Sequence, residues 1–328
     1  MKALVVNSTS KFPVMIPGTH ENPVPGPNEL LVKIEATALN RADLLQKAGN
    51  YPVPDGASPI LGLEMAGVVE ETGSDTHQFE TGDHIMGLLP GGGYAEYCII
   101  RDDHAMPKPE SLSFEEAAAI PEVFLTAFQG LFWIGELFDD QTVLIHAGAS
   151  GVGSAAIQLA GQVSETNIIT TAGSESKLDM CRKLGADLAI NYKEKSFETE
   201  IEKEFGPTAV NVILDFVGAP YWHQNIQVLA MDGRLVHLGL LGGSEVDNID
   251  LGTILRKRLS VRGSTLRNRS DEYKALLTKE FTERFLESFD DGTLRPVIDS
   301  VYEWEEAEQA QQRMKQNKNA GKIVLTGM

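Results

Sequence analysis

The chain has 328 residues, 42% of them hydrophobic and 23% charged. This is ordinary globular usage at about twice the length of an average domain, which excludes a stapled mini-protein, a disordered tail and a membrane-embedded chain. Lys plus Arg is 28 against 47 for Asp plus Glu, and the resulting net charge of −19 argues against nucleic acid or an anionic membrane surface as partner.

The first residues, MKALVVNSTSKFPVMIPG, hold a short apolar stretch before Asn7 and then two prolines. That is neither a signal-peptide core nor a membrane span, so a cytoplasmic location is expected. Short alternating or β-branched runs follow to about residue 110 (Leu4 to Val6, Leu30 to Ala36, Gly67 to Glu70, Tyr94 to Ile100), separated by the turn clusters PVPGPNE, ETGSD and LLPGGG. They predict a β-rich, barrel-like domain. At Ser113 the spacing becomes helical, with Ser113 as cap and Glu115 and Glu116 in the first turn, and it continues through LTAFQGLFWIGEL. A domain boundary is expected near Pro121. Strand-like and helical segments then alternate: TVLIHA, SAAIQLAGQV, NIITTA, KLDMCRKLGA, LAINY, VNVILDFVG, NIQVLAM and RLVHLGL. That rhythm predicts an α/β domain with a doubly wound parallel sheet. The last stretch carries a charged helix from Asp271 to Phe289, a second from Glu305 to Asn317 and a strand from Lys322 to Thr326. It is assigned back to the first domain, giving 1–121 with 262–328 around an inserted 122–261. No internal repeat or linker is visible, so the two domains are expected to pack around a cleft. Cys98 and Cys181 are too few and too scattered for a disulfide framework or a zinc cluster.

In TVLIHAGASGVGSAAIQLA, Gly148, Gly151 and Gly153 stand between a strand, Thr142 to Ala147, and a helix starting near Gly151. Small residues there let a pyrophosphate approach the N–H groups of a helix N-terminus, so Gly148, Ala149, Ser150, Gly151, Val152 and Gly153 are expected to hold a dinucleotide. The order G-x-x-G-x-G differs from the usual G-x-G-x-x-G, and a packing turn without ligand is the competing reading. Twenty positions past Gly151 the second strand ends at Thr171, Ala172 and Gly173 with no carboxylate for a ribose, and Ser174 reads as an N-cap with Lys177 in the first turn. A cation opposes the helix dipole there unless a 2′-phosphate sits beside it, which favours NADPH. Against this, Lys177 reads equally as a solvated surface lysine, and Glu175 would repel a phosphate.

The blocks AGASGVGSAAIQLA, ALNRADLLQKAGNYP, PILGLEMAGVVEETG, GGGYAEY and NKNAGKIVL resemble the zinc-independent quinone oxidoreductases (zeta-crystallin-like) of the medium-chain dehydrogenase/reductase superfamily, across essentially the whole chain. LLPGGGYAEY, IPEVFLTAFQ, LIHAGASGVG and GSTLRNR are most similar to the tumour-suppressor-inducible NADPH quinone oxidoreductase subgroup. The resemblance implies a GroES-like β-barrel domain built from both chain ends around a Rossmann domain, with the cofactor in the cleft between them, and assembly as a homodimer or homotetramer. Where zinc-dependent relatives carry a cysteine and a histidine as metal ligands, this chain has Asn40 and Leu63, and the structural-zinc lobe is missing. No metal is therefore assigned, and alcohol oxidation, which needs a Lewis acid, is disfavoured. An acceptor that takes hydride unaided, a quinone, fits better.

By the same resemblance Asn40, Asp43 and Tyr51 border the acceptor: Tyr51 as donor to the developing oxyanion, Asn40 holding or polarising the acceptor, Asp43 orienting its neighbours. Their structural rivals are a helix cap, first-turn dipole compensation, and packing beside Pro52. Gly173, Ser174, Lys177 and Tyr192 match the 2′-phosphate site. Gly218, His237, Leu238, Gly239, Leu240, Thr265, Leu266 and Asn317 match further cofactor contacts. The basic stretch Arg256 to Arg269 reads as a solvated face or a support for the cofactor phosphates, and His146 as a structural histidine. The expected activity is metal-free, NADPH-dependent reduction of a quinone or related electrophile. Reduction of an enone or alkenal double bond, and a low-turnover NADPH-binding structural or regulatory role, are the alternatives.

Overall fold

Burial alternates along Glu29–Ala38, with Leu30, Val32, Ile34 and Ala36 inside and the residues between them half-buried, the period of a strand with one face on a core. In a computed structural model, which describes residues 1–7 and 13–327, this strand organises the first of two compact units, formed by 1–125 and 267–328. One of its edges pairs antiparallel with Glu64–Thr72. The other is shared: Tyr97–Arg101 takes its first half and Lys322–Thr326, from the far end of the chain, takes its last. His84–Leu88 and Ala105–Pro107 extend one side and Ile298–Glu303 the other. Lys2–Asn7 pairs with Val14–Thr19 as a separate antiparallel ribbon. The helix Asp271–Asp290, capped by Ser270, adds Phe281 and Phe289, both fully buried and in ring contact with Phe124.

The second unit, 126–266, has six parallel strands: Thr142–Ile145, Asn167–Ala172, Leu188–Asn191, Val210–Asp215, Leu229–His237 and Ser260–Gly263. Counted in chain order, they lie third, second, first, fourth, fifth, sixth across the sheet. This is the doubly wound dinucleotide-binding order, with its switch point between the first and fourth strands. Val143, Leu144, Ile145, Ile213 and Leu214 are fully buried, as continuous apolar runs in a sheet covered on both faces must be. GroES-like and Rossmann-like units are thus both present.

Three details differ from the sequence reading. The division falls after Leu125 and after Leu266, because Ser260–Gly263 pairs with Leu229–His237 and a boundary at 261 would cut that strand. The helical stretch after Ser113 is three pieces, Phe114–Ala118, Pro121–Phe128 and a wider π-type turn over Gln129–Ile134; Pro121 has no N–H with which to continue the first piece. The strand expected from Tyr94 begins at Tyr97. Among the described residues no helix is long and apolar enough to cross a membrane.

Two glycines let the first strand of the parallel sheet meet its helix, Gly151–Ala160. A methyl group on Gly148 would lie 1.8 Å from Thr170 Oγ1, and one on Gly153 would lie 2.3 Å from the Ala147 carbonyl oxygen. The second clash is with backbone and has no side chain to yield. Gly153→Ala is therefore expected to lower the thermal midpoint by at least about 2–4 °C, equivalent to roughly 1 kcal/mol. Gly161→Ala, whose nearest neighbour would be 3.4 Å away, should leave it unchanged. Differential scanning fluorimetry of the two variants checks this.

Candidate active and cofactor sites

In the first unit the polar residues around Asn40 form one buried network. Lys322 Nζ donates to the Leu39 carbonyl (2.8 Å), Asn40 Oδ1 (2.7 Å) and Glu64 Oε1 (2.6 Å). Asn40 Nδ2 donates to the same Glu64 oxygen at 2.7 Å, and the Glu122 backbone N–H donates to Glu64 Oε2 at 2.9 Å. The Lys322 and Glu64 side chains are 4% and 0% exposed, so this is an interior ion pair with its lone pairs and protons satisfied. Asp43 lies beside it. Its carboxylate accepts from the Asn40 N–H (2.7 Å), the Gly62 N–H (3.1 Å) and the Tyr94 hydroxyl (2.8 Å). Burial pushes the Asp43 carboxyl up to about 6, even though these three donors and the Lys322 charge pull it down.

This geometry shows what two of the expected catalytic residues bond to. The Asn40 amide is engaged at both ends and Asp43 accepts three internal hydrogen bonds. Both hold the turn that enters the helix Arg41–Lys47. Sequence reasoning missed Lys322, whose signal was a charge at the start of the apolar strand KIVLT, and the Tyr94 hydroxyl, which looked like one more apolar strand residue.

Tyr51 is placed differently. It is half-buried, and its ring lies 5.2 Å below the guanidinium of Arg267. Burial raises the phenol above its ordinary range, Arg267 draws it partly back and Glu122 adds to the rise. The hydroxyl therefore keeps its proton at neutral pH and can donate it. Arg267 Nε and Nη2 both donate to the Pro90 carbonyl, at 2.9 and 2.6 Å.

The oxygens around Lys322 also test whether a zinc ion fits here. Zinc sites are built from thiolate, imidazole and carboxylate, whereas Asn40 and Leu63 supply neither of the first two and an ammonium already takes the Glu64 carboxylate. The donor set does not fit zinc. Among the described residues no group of three or more His, Cys, Asp or Glu is placed to hold a metal ion.

In the second unit the glycine-rich turn gives way to a helix capped by Ser150, whose hydroxyl accepts from the Gly153 N–H at 3.0 Å. Ala147 holds a left-handed conformation, φ 51°, to make the turn. The first-turn N–H groups of Gly151 and Val152 have no carbonyl one turn back, which leaves them for an anion. Ala149 is buried. At the end of the second strand, a methyl group on Gly173 would lie 2.7 Å from the Tyr192 hydroxyl, so Gly173 and Tyr192 are neighbours. Ser174 caps Glu175–Lys183 by position only; its hydroxyl pairs with that of Ser176 at 3.2 Å. Lys177, half-buried, is in the first turn. Glu175 is turned to Arg182 at 2.7 Å, which partly offsets the charge that would repel a phosphate. These hydroxyls, a lysine and a tyrosine fit a 2′-phosphate.

Asp215, at the end of the fourth strand, is a second internal hub. It accepts from the Val217 and Gly218 N–H groups (2.6 and 3.1 Å) and from Asn225 Nδ2 (3.2 Å), and lies 3.3 Å from His237 Nδ1. Burial alone would raise its carboxyl, but the His237 side chain and the two N–H groups hold it below the usual range. His146, fully buried between Thr171 Oγ1 (3.0 Å) and Asn225 Oδ1 (2.8 Å), is lowered by burial and stays neutral, a structural histidine. Gly218, φ 85°, and Leu240 are close, since a methyl group on the glycine would lie 2.8 Å from Leu240 Cδ2. Leu238 N–H donates to the Asp215 carbonyl, Gly239 packs near Phe216, Thr265 is exposed and Leu266 buried. Asn317, in the first unit, accepts from the Arg41 guanidinium through Oδ1. Much of the basic stretch is used locally: Lys257 Nζ donates to three carbonyls ending the helix Trp222–Val228, Arg258 pairs with Asp232, and Arg262 with Glu136.

Residues 26–110 match the alcohol dehydrogenase GroES-like domain family, and 151–283 the family described as zinc-binding dehydrogenase. The cattle quinone oxidoreductase-like protein 2 is 30% identical over 96% of this chain and 90% of its own length. The zebrafish synaptic vesicle membrane protein VAT-1 homolog is 31% identical over 91% of this chain, which spans 64% of that protein. Among solved structures, a mycobacterial protein complexed with NADPH superposes with a TM-score of 0.87 at 26% identity, and an NAD-dependent alcohol dehydrogenase with 0.86 at 29%; each covers 100% of both chains.

Two outcomes are expected of the buried network. The first is a pH dependence. Because Asp43 titrates near 6 in the folded chain and near 4 unfolded, the native state holds the extra proton between about pH 4 and 6. Its contribution is therefore greatest at the acid end and is lost as pH rises through 6, by about 2–3 kcal/mol. Urea midpoints of the wild type and Asp43→Asn, compared at pH 4.5 and 7, should diverge in that sense. The second concerns the ion pair. Lys322→Met leaves Glu64 buried without its cation and should destabilise the first unit by roughly 3–5 kcal/mol, whereas the double variant Lys322→Met/Glu64→Gln should recover part of that loss. A double-mutant cycle by chemical denaturation measures both.

Proposed function

Because the chain belongs to the medium-chain dehydrogenase/reductase superfamily, in its quinone oxidoreductase-like group, we propose that this oxidoreductase is an NADPH-dependent quinone reductase working without a metal. The observation that carries the reading is the Lys322 ammonium held by Asn40 and Glu64. It places a fixed protein cation on the Glu64 carboxylate, which supports an acceptor that takes hydride without a Lewis acid. A quinone is such an acceptor, because reduction makes its ring aromatic and delocalises the resulting oxyanion.

The cofactor, when bound, supplies a hydride. Gly151 and Val152 offer N–H groups to its pyrophosphate, while the Gly173 turn, the Ser174 and Tyr192 hydroxyls and the Lys177 ammonium are offered to a 2′-phosphate. The absence of a carboxylate at the end of the second strand supports NADPH over NADH. Tyr51, kept protonated by its surroundings, donates to the oxygen that becomes negative, while Asn40 and Asp43 act through the turn they hold. Assembly as a homodimer or homotetramer belongs to the same reading: Ser260–Gly263 is the last strand of its sheet, with Val261, Leu251 and Leu255 exposed on or beside it.

Purified protein should oxidise NADPH faster than NADH with ortho- and para-quinones. Lys177→Glu should erase that preference by roughly tenfold or more, and Tyr51→Phe should lower kcat. Faster turnover of an enone than of any quinone would favour double-bond reduction on the same machinery. NADPH binding without oxidation by any acceptor would overturn the enzyme reading. Initial rates across the acceptor and coenzyme pairs decide between these.

A further inference from the structure

Arg267 is 6% exposed, and among the described residues no carboxylate forms an ion pair with its guanidinium, the charge of Asp43 acting on it only from a longer range. Two of its nitrogens, Nε and Nη2, share the single Pro90 carbonyl, and the third, Nη1, is buried with no hydrogen-bond partner among the described residues. A buried guanidinium normally has its charge and all its N–H groups met, because an unpaired buried donor or charge is costly. Here the two nitrogens on Pro90 fix the plane of the fork, so Nη1 is held in one orientation by the protein itself. The face of the same group lies 5.2 Å from the Tyr51 ring. The Pro90 anchor and the Tyr51 ring leave Nη1 as the one nitrogen of the fork without a partner, covered by the protein in this structure and beside the phenol that the proposed reaction uses as donor.

We propose that Arg267 contacts the substrate, its Nη1 taking the oxygen that becomes negative when a conjugated carbonyl acceptor is reduced. The inference rests on the quinone reductase reading for its substrate. In that step hydride forms a new bond to the acceptor and the carbonyl π pair moves onto oxygen. The acceptor gains two electrons, the coenzyme loses them, and a proton from Tyr51 or solvent then neutralises the oxyanion. A fixed donor at that oxygen stabilises the charged product more than the neutral acceptor, so its effect falls on kcat more than on KM. In a chain of net charge −19, such a local cation is also what keeps an oxyanion from being repelled.

The test needs no turnover. 4-Nitrophenol and its phenolate absorb at different wavelengths, and the phenolate is a delocalised oxyanion like the reduced acceptor. Titrated into the full-length protein with and without NADP⁺, it should bind as the phenolate at least tenfold more tightly than as the phenol. In Arg267→Met that preference should disappear, and in Arg267→Lys, which keeps a charge but not the fork, it should fall part of the way. With a para-quinone, Arg267→Met should lower kcat roughly 10–100-fold while KM moves far less. An equal phenolate preference in wild type and Arg267→Met, or no binding of either form by wild type, overturns the assignment. Should Arg267→Met fail to fold, the Arg267→Lys spectra decide in the same way. If the phenolate preference depends on Arg267 but no quinone is reduced, the reductase reading falls and the oxyanion site stands.

Discussion

The first unit depends on one buried ion pair. Lys322 and Glu64 are separated by 258 residues, and their contact exists only because the C-terminal strand pairs with the last part of Glu29–Ala38, Val324 opposite Ala38. An ammonium and a carboxylate in the interior carry a large desolvation cost, and they are tolerable only when every remaining donor and acceptor is met. Here the requirement is met by the Leu39 carbonyl, both ends of the Asn40 amide and the Glu122 N–H. The pair therefore constrains the turn at Asn40, the entry to the helix after it, and the join between the two chain ends.

That constraint propagates. Asn40 is fixed from its side chain by the ion pair and from its backbone N–H by Asp43, and Asp43 is fixed in turn by Gly62 and by Tyr94. Elements at residues 40, 62, 64, 94 and 322 are thus tied through polar contacts in a buried region. A low-dielectric interior makes each of these contacts stronger and each missing one more damaging. Burial holds the Asp43 carboxyl near a pKa of 6, against the pull of its three donors.

The second unit repeats the arrangement with different residues. Asp215 gathers two backbone N–H groups, Asn225 and His237 at the carboxyl ends of adjacent strands, and the Asn225 amide also serves His146. This hub holds the loop at Gly218 where an open parallel sheet places its ligands. Under the proposed function the cations offered to ligands are few and local: Lys177 in the first turn after Ser174 in this unit, Arg267 beside Tyr51 in the other. Against a strongly acidic chain, their surroundings and not the overall field determine what they attract.

The sequence by itself determined the architecture. Period-two burial in Glu29–Ala38, the apolar runs of the parallel strands and the G-x-x-G-x-G turn are local patterns, set by neighbours in the chain, and they were legible without coordinates. So were the positions of Ser113 and Ser174 as caps, and the end of the second strand without a carboxylate. What needed tertiary structure was every role that depends on residues far apart in sequence. Nothing in the sequence around Asn40 says that it holds a buried lysine, and only the strand pairing that brings Lys322 to it shows this. Arg267 sat in a basic stretch that looked like a solvated face; its burial, the Pro90 anchor and the Tyr51 ring separate it from its neighbours. Side-chain chemistry and spacing specify which groups are present, but desolvation and long-range contact specify what each is able to do, and those exist only once the chain has folded.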